Sequence, residues 1–260
     1  MHSLRSGGIG VGALALMALA SGSANAAMIE VTVENLAPMN SVSFAPLRIG
    51  FNSGTYDSFD AGSTASAAIV SIAEGGSGAD WFPAFMAADP SATLGTVVPN
   101  PAGPLVPGAT GQGVFDVDGS INPYFTFGAM AVPSNDYFIG NDSPTEHEVL
   151  DASGNLLVSE IVLTASDLWD AGSEVDGIFG AAFLQGSSNS DRIADNDPVG
   201  FDFADLSIFD GSTTAAGYVF ESQLDANTPI YRISFAAVPE PATGLSMLLS
   251  LAGVAIWRRR

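Results

Sequence analysis

The chain has 260 residues, with 28 acidic residues against seven arginines and no lysine, and a formal net charge of −21. So acidic a chain excludes nucleic acid as a partner, because phosphates need cationic contacts. It favours cations, calcium first among them, and a soluble, self-repelling surface. There is no cysteine, which removes disulfides and thiol chemistry.

Residues 1–26 carry a short basic start with Arg5, an apolar run from Ile9 to Ala20, and the small-x-small triplet Ala24, Asn25 and Ala26. This order predicts a signal peptide cut after Ala26. Residues 27–237 then hold 27 acids against Arg48, Arg192 and Arg232, a net charge near −24. Their length suits one domain with a sizeable core. Most of these carboxylates need no role beyond keeping the protein in solution.

MIEVTVENLA (28–37) alternates apolar and polar residues, as a half-buried strand does. VSFAPLRIGF (42–51) reads as a second strand with an irregularity at Pro46. STASAAIVSIAEG (63–75) predicts a helix capped by Ser63 or Thr64, and ADWFPAFMAADP (79–90) a short helix ended by Pro90. PNPAGPLVPGATGQG (99–113) reads as a Pro/Gly loop. Strands resume at VFDVDG (114–119), at YFTFGAMAVP (124–133) and near 156–164. The acidic stretch 187–217 predicts a long surface loop with short elements, and PIYRISFAAV (229–238) a last strand. Several strands with few helices predict a mainly β domain of sandwich type.

The chain closes with Val238, Pro239, Glu240 and Pro241, then sixteen uncharged residues from Ala242 to Trp257, then Arg258, Arg259 and Arg260. The apolar stretch is near the lower length limit of a transmembrane helix, about 17 residues, and the arginines are expected to stay cytoplasmic. Proline pair, apolar helix and arginine cluster resemble the PEP-CTERM sorting tail of Gram-negative bacteria. The resemblance implies recognition by exosortase, an integral-membrane cysteine protease. It also implies an inner-membrane-anchored intermediate, delivery to the exterior or cell surface, and a link to exopolysaccharide and biofilm matrix.

Two central stretches carry a second resemblance: AMAVPSNDYFIGNDS (129–143) and SDLWDAGSEVDG (166–177). A strand running into Pro-Ser-x-Asp-aromatic-Phe-x-Gly, with Trp-Asp-Ala-Gly-Ser-Glu some thirty residues on, resembles the spondin N-terminal domain. VTVENLAP, GTYDSFDAGSTASAAIVSIAEGG and PAGPLVPGAT also look like bacterial members, so the resemblance covers nearly all of residues 28–238. It implies a C2-like antiparallel β-sandwich with one or two short helices and with calcium bound by loops at one end. The family's ligands fall on Asp136, Asp170 and Glu174. The third position is an aspartate in the familiar animal pattern, so the glutamate departs from it, and Asp176 could take its place.

The residues are compatible with that chemistry. Calcium takes six to eight oxygen ligands at about 2.3–2.6 Å from loop carboxylates, carbonyls and water. Gly172 permits a tight turn between Asp170 and Glu174. Converging carboxylates repel and rise in pKa unless a cation sits among them. Asp191, Asp195 and Asp197 lack the glycine and closing glutamate of an EF-hand loop, which favours a solvated loop. His147, in Glu-His-Glu (146–148), is a poor zinc site alone. Trp81 and Trp169 are expected in packing roles. No nucleophile elbow or P-loop is present. The expected function is a non-enzymatic adhesion or extracellular-matrix module whose partner is extracellular polysaccharide or a surface protein. The alternatives are a matrix-acting carbohydrate hydrolase, with two opposed carboxylates in a cleft, and a purely structural acidic coat protein.

Overall fold

The structure, a computed structural model, describes residues 26–239. The expected signal segment through Ala24 and the tail from Glu240 through Pro241 to Arg258, Arg259 and Arg260, with the membrane helix expected there, lie outside the described residues. Among the described residues no helix is long and apolar enough to cross a membrane.

The fold is mainly β, with one antiparallel, curled sheet and two helices among these residues. In chain order the strands and helices are β1 (Ala26–Asn35), β2 (Ser43–Phe44), β3 (Leu47–Asn52), α1 (Ala67–Gly75) and α2 (Trp81–Ala88). Next come β4 (Thr93–Pro99), β5 (Thr110–Asp118), β6 (Tyr124–Val132), β7 (Tyr137–Gly140) and β8 (Glu160–Thr164). The last strands among the described residues are β9 (Trp169–Asp170), β10 (Gly200–Phe201) and β11 (Pro229–Ala237). Across the sheet the order is β10-β9-β7-β6-β3-β4-β5-β1-β11-β8, with β2 on β6.

β1 shows why the alternation matters. Ile29, Val31 and Val33 are buried while Glu30, Thr32 and Glu34 face outward, and β5 and β11 flank it. β4 is the corner. Its Thr93–Val97 part pairs with β3, and Val98 and Pro99 pair with β5. The sheet therefore curls until distant strands meet. Phe125 of β6 lies edge-on to Phe235 of β11 at 4.9 Å, and Phe44 of β2 to Tyr231 at 4.8 Å. Each fully buried Phe contributes about 1.5–3 kcal/mol relative to exposure. This aromatic seam is thus a main source of cohesion between the two halves of the sheet.

The helices cover the outer face of β3, β6 and β7. Ser66, at extended dihedrals, caps α1 by accepting from the Ile69 amide, and Gly76 closes it in the left-handed region. The expected caps, Ser63 and Thr64, lie one turn too early. Ile72, Trp81 and Phe85 form a second core with Tyr56, Phe59, Phe138 and Trp169. Gly50 of β3 is what lets α2 settle, since a Cβ there would stand 2.5 Å from the Phe85 ring.

The Pro/Gly loop is shorter than expected, because β4 claims Pro99 and β5 begins at Thr110. The 187–217 stretch holds two 3-10 turns and two-residue β10 amid irregular backbone. The expected strand near 156–164 is confined to Glu160–Thr164.

Candidate metal centre

The two sequence motifs meet at one end of the sheet. The first motif turns from β6 into β7 through Ser134, Asn135 and Asp136, and the second forms β9 and the loop that follows. In register, Tyr137 opposes Asp170 and Phe138 opposes Trp169. Strand alternation therefore puts Tyr137 and Asp170 on one face and the Phe138–Trp169 pair on the other.

Asp136 is fully buried and clasps the 171–177 loop. Its Oδ2 accepts from the Ser173 amide at 2.6 Å, the Ser173 hydroxyl at 3.1 Å and the Glu174 amide at 2.9 Å. Its Oδ1 is buried with no hydrogen-bond partner. Asn135 holds the far end of the loop by accepting from the Gly177 amide at 3.0 Å. Gly172 makes the bend at φ +62°, where Asp170 Oδ1 accepts from its amide at 2.7 Å. The acidic loop runs alongside, with the Asp195 and Asp197 amides donating to the Ser173 and Gly172 carbonyls. The side chains of Asp191, Asp195 and Asp197 are themselves exposed.

Asp176 reaches the same region. Its Oδ2 accepts from the Tyr137 hydroxyl at 3.0 Å, and its Oδ1 is buried and unpartnered. Burial, then the Asp136 charge, push the Asp170 carboxyl up to about 7. Burial also lifts Asp176 to about 6 against the opposing Tyr137 bond, with the charges of Asp136, Asp205 and Asp202 adding to the rise. Burial raises Asp136 too, although the amides of Glu174 and Ser173 oppose it. The three aspartates thus carry mutual strain that a dication would relieve.

Glu174 behaves differently. Its side chain is 5% exposed, and its Oε1 lies 3.3 Å from Arg192 Nη1. Arg192 also reaches Glu74, donating to its carbonyl at 2.8 Å. Glu174 Oε2 is buried and unpartnered. Burial raises its pKa against the pull of Arg192, and Glu74 adds to the rise. Of the two candidates for the third position, Asp176 shares the Asp170 neighbourhood while Glu174 is engaged by a cation of the chain itself. Asp202, beside β10, adds charge to the same neighbourhood. Sequence reasoning missed Asp202 and Arg192. The one arginine inside the acidic loop was the available sign of the latter.

Among the described residues no group of three or more His, Asp or Glu side chains is arranged to hold a metal ion as it stands. The donor chemistry nevertheless suits a hard cation. The donors are all oxygen, three buried carboxylate oxygens, Asp136 Oδ1, Asp176 Oδ1 and Glu174 Oε2, lack a partner, and burial and neighbouring charge raise the carboxyls. No protein-family model matches the chain, and no curated protein sequence matches it.

Proposed function

We propose that the protein is an exported, non-enzymatic calcium-binding module of the spondin type, acting in adhesion or the extracellular matrix. The observation that carries this reading is the pair of buried, donor-free oxygens, Asp136 Oδ1 and Asp176 Oδ1, beside an Asp170 carboxyl lifted to about 7. Asp136, Asp170 and Asp176 would hold the ion, with Glu174 kept at the rim by Arg192. Calcium would supply the positive charge that Asp136, Asp170 and Asp176 lack, fixing the 171–177 loop against β7.

The curled sheet supports the finer architectural reading, a C2-like sandwich, because its two halves meet face to face through Phe125 and Phe235. The two ends of the sequence support the address: signal peptide removal after Ala26, exosortase recognition of the PEP-CTERM tail, and release to the surface or matrix. Extracellular polysaccharide or a surface protein is the partner class this address favours.

Calcium titration followed by calorimetry and thermal unfolding tests the reading. A ligand bound only by the folded state stabilises by about 2.7 kcal/mol at a hundredfold excess over Kd, and ~1 kcal/mol moves Tm by roughly 2–4 °C for a domain of this size. A saturable site with a rise of several degrees is expected. No calcium-dependent rise at millimolar calcium would sink the proposal. Mass spectrometry of exported protein tests the address, since an intact Met1 would overturn signal cleavage.

A further inference from the structure

A separate feature, a cavity of about 310 Å³, opens beside Gly140, Trp169 and Phe201. One wall is Phe201, 58% exposed and stacked on the buried Trp169 with ring centroids 3.7 Å apart and planes 26° apart. Trp169 is locked by donating its indole N–H to the Gly140 carbonyl at 3.0 Å. Phe127 and His147, stacked at 5.8 Å, line another wall. An aromatic ring with one face buried on a neighbour and the other left open at a cavity is a platform for a ligand.

The polar lining says which kind of ligand. Asp142, Glu146 and Asp167 all line the cavity. Asp142 Oδ1 accepts from the Ala61 amide, and Asp167 Oδ2 from the amide and hydroxyl of Thr164. Their other oxygens have no protein donor among the described residues. Glu146 Oε1 lies 3.5 Å from His147 Nε2, and the Ser143 backbone opposes the rise of its carboxyl. Burial first, and then Asp142 and Asp167, raise the Glu146 carboxyl, while burial holds the His147 imidazole toward its neutral form. Among the described residues no arginine lines the cavity. Arg48 donates to Thr96 and Gly76, Arg192 lies with Glu74 and Glu174, and Arg232 with Glu34 and Glu160. The described residues therefore offer this cavity three carboxyls and an open ring face, and no arginine among them lines it.

We propose that the cavity binds an organic ammonium group, its cation over the open face of Phe201 and its polar hydrogens or methyls toward Asp142, Glu146 and Asp167. Cations are drawn to aromatic faces, most strongly where water is excluded. A volume of about 310 Å³ holds a small amine and not a long chain. The shared chemistry could arrive as a quaternary ammonium head group or as the amine of an amino sugar in a matrix polysaccharide. The cavity shares no lining residue with the Asp136, Asp170 and Asp176 group, so the two sites can be tested separately.

Choline, glucosamine and glucose, titrated into the exported protein at fixed ionic strength and followed by calorimetry and tryptophan fluorescence, decide the matter. Each titration is run with calcium and with chelator, so that failure of the calcium site does not disturb the result. Saturable binding of choline or glucosamine is expected, with no response to glucose. Preference for choline assigns the head-group source, and preference for glucosamine the amino-sugar source. Phe201→Ala and Glu146→Gln should each weaken binding roughly tenfold, the scale of one lost cation–π or charged contact. Phe201 is 58% and the Glu146 side chain 47% exposed, so the fold should tolerate both changes, and Asp225→Asn serves as a distant acidic control. Equal binding of glucose and glucosamine overturns the proposal in favour of a neutral sugar platform. So does an absence of saturable binding, or binding unchanged in both variants.

Discussion

The Glu174 amide donates to Asp136 Oδ2 at 2.9 Å, while the Glu174 carboxylate reaches Arg192 at 3.3 Å. Backbone and side chain of one residue thus serve two different partners. The backbone closes the loop over Asp136, and the side chain joins the loop to α1 through Arg192 and Glu74. A substitution that spares the amide should spare the first of these.

Glu174→Gln is therefore expected to leave calcium affinity within about threefold of the parent. Asp176→Asn and Asp170→Asn should each weaken it at least tenfold, since each removes a carboxylate charge from the ion's neighbourhood. Asp195→Asn, in the exposed acidic loop, should change nothing. Calorimetric titration of the four variants checks this. Loss of affinity in Glu174→Gln with retention in Asp176→Asn would return the third ligand to Glu174.

The calcium-free protein should lose stability as pH rises from about 4 to about 7. An ordinary aspartate titrates near 3.9 in the unfolded chain, whereas Asp170 in the fold is lifted to about 7 and Asp176 to about 6. The folded state binds more protons across that window, so its stability is full below the unfolded pKa and falls as these groups ionise. Asp89 acts in the opposite sense, because hydrogen bonds from Ser91 and Ser53 outweigh its burial and lower its pKa. Its contribution is lost only in more acid solution. Saturating calcium should flatten the decline between pH 4 and 7. Thermal melts across pH, with calcium and with chelator, measure it, and a calcium-free protein that gains stability over this range contradicts the assignment.

Phe235→Ala should destabilise the fold by about 3–5 kcal/mol, the usual cost of removing a buried aromatic ring. Phe235 is the β11 member of the seam and touches both Phe125 at 4.9 Å and Phe51 at 6.5 Å. Val162→Ala on β8, where the side chain is 41% exposed, should cost far less. Denaturant unfolding of both variants tests whether the seam holds the halves of the sheet together.

The long strands were legible because their alternation is regular: β1 and β11 lie where the pattern of 28–37 and 229–238 puts them. β4 was not, since TLGTVVP combines a glycine and a terminal proline with a stretch that changes partner midway. β7, β9 and β10 are two to four residues long, too short for any period to show. The meeting of Asp136 with the 171–177 loop could be expected from the two motifs. The pairing of Glu174 with Arg192 could not, because Arg192 arrives from a loop whose path no local pattern dictates.

Gly172→Ala should undo the loop and the ion site together. Gly172 sits at φ +62°, a left-handed conformation that costs any residue with a Cβ about 1 kcal/mol or more. Space is the harder constraint. A Cβ there would stand 2.5 Å from the Asp197 carbonyl oxygen and 2.7 Å from its carbon, and both atoms are backbone. The Asp197 amide donates to the Gly172 carbonyl at 2.9 Å, so the acidic loop cannot retreat without breaking that bond. Movement of residue 172 instead would pull its amide from Asp170 Oδ1 and shift Ser173 and Glu174 off Asp136. The expected outcome is a loss of roughly 2–3 kcal/mol of stability and at least a tenfold loss of calcium affinity. Gly177→Ala, where a Cβ meets nothing within 4 Å, is the matched control and should do neither. Equal effects of the two substitutions on melting and on calcium titration would mean that the 171–177 loop is not the part of the structure that sets the site.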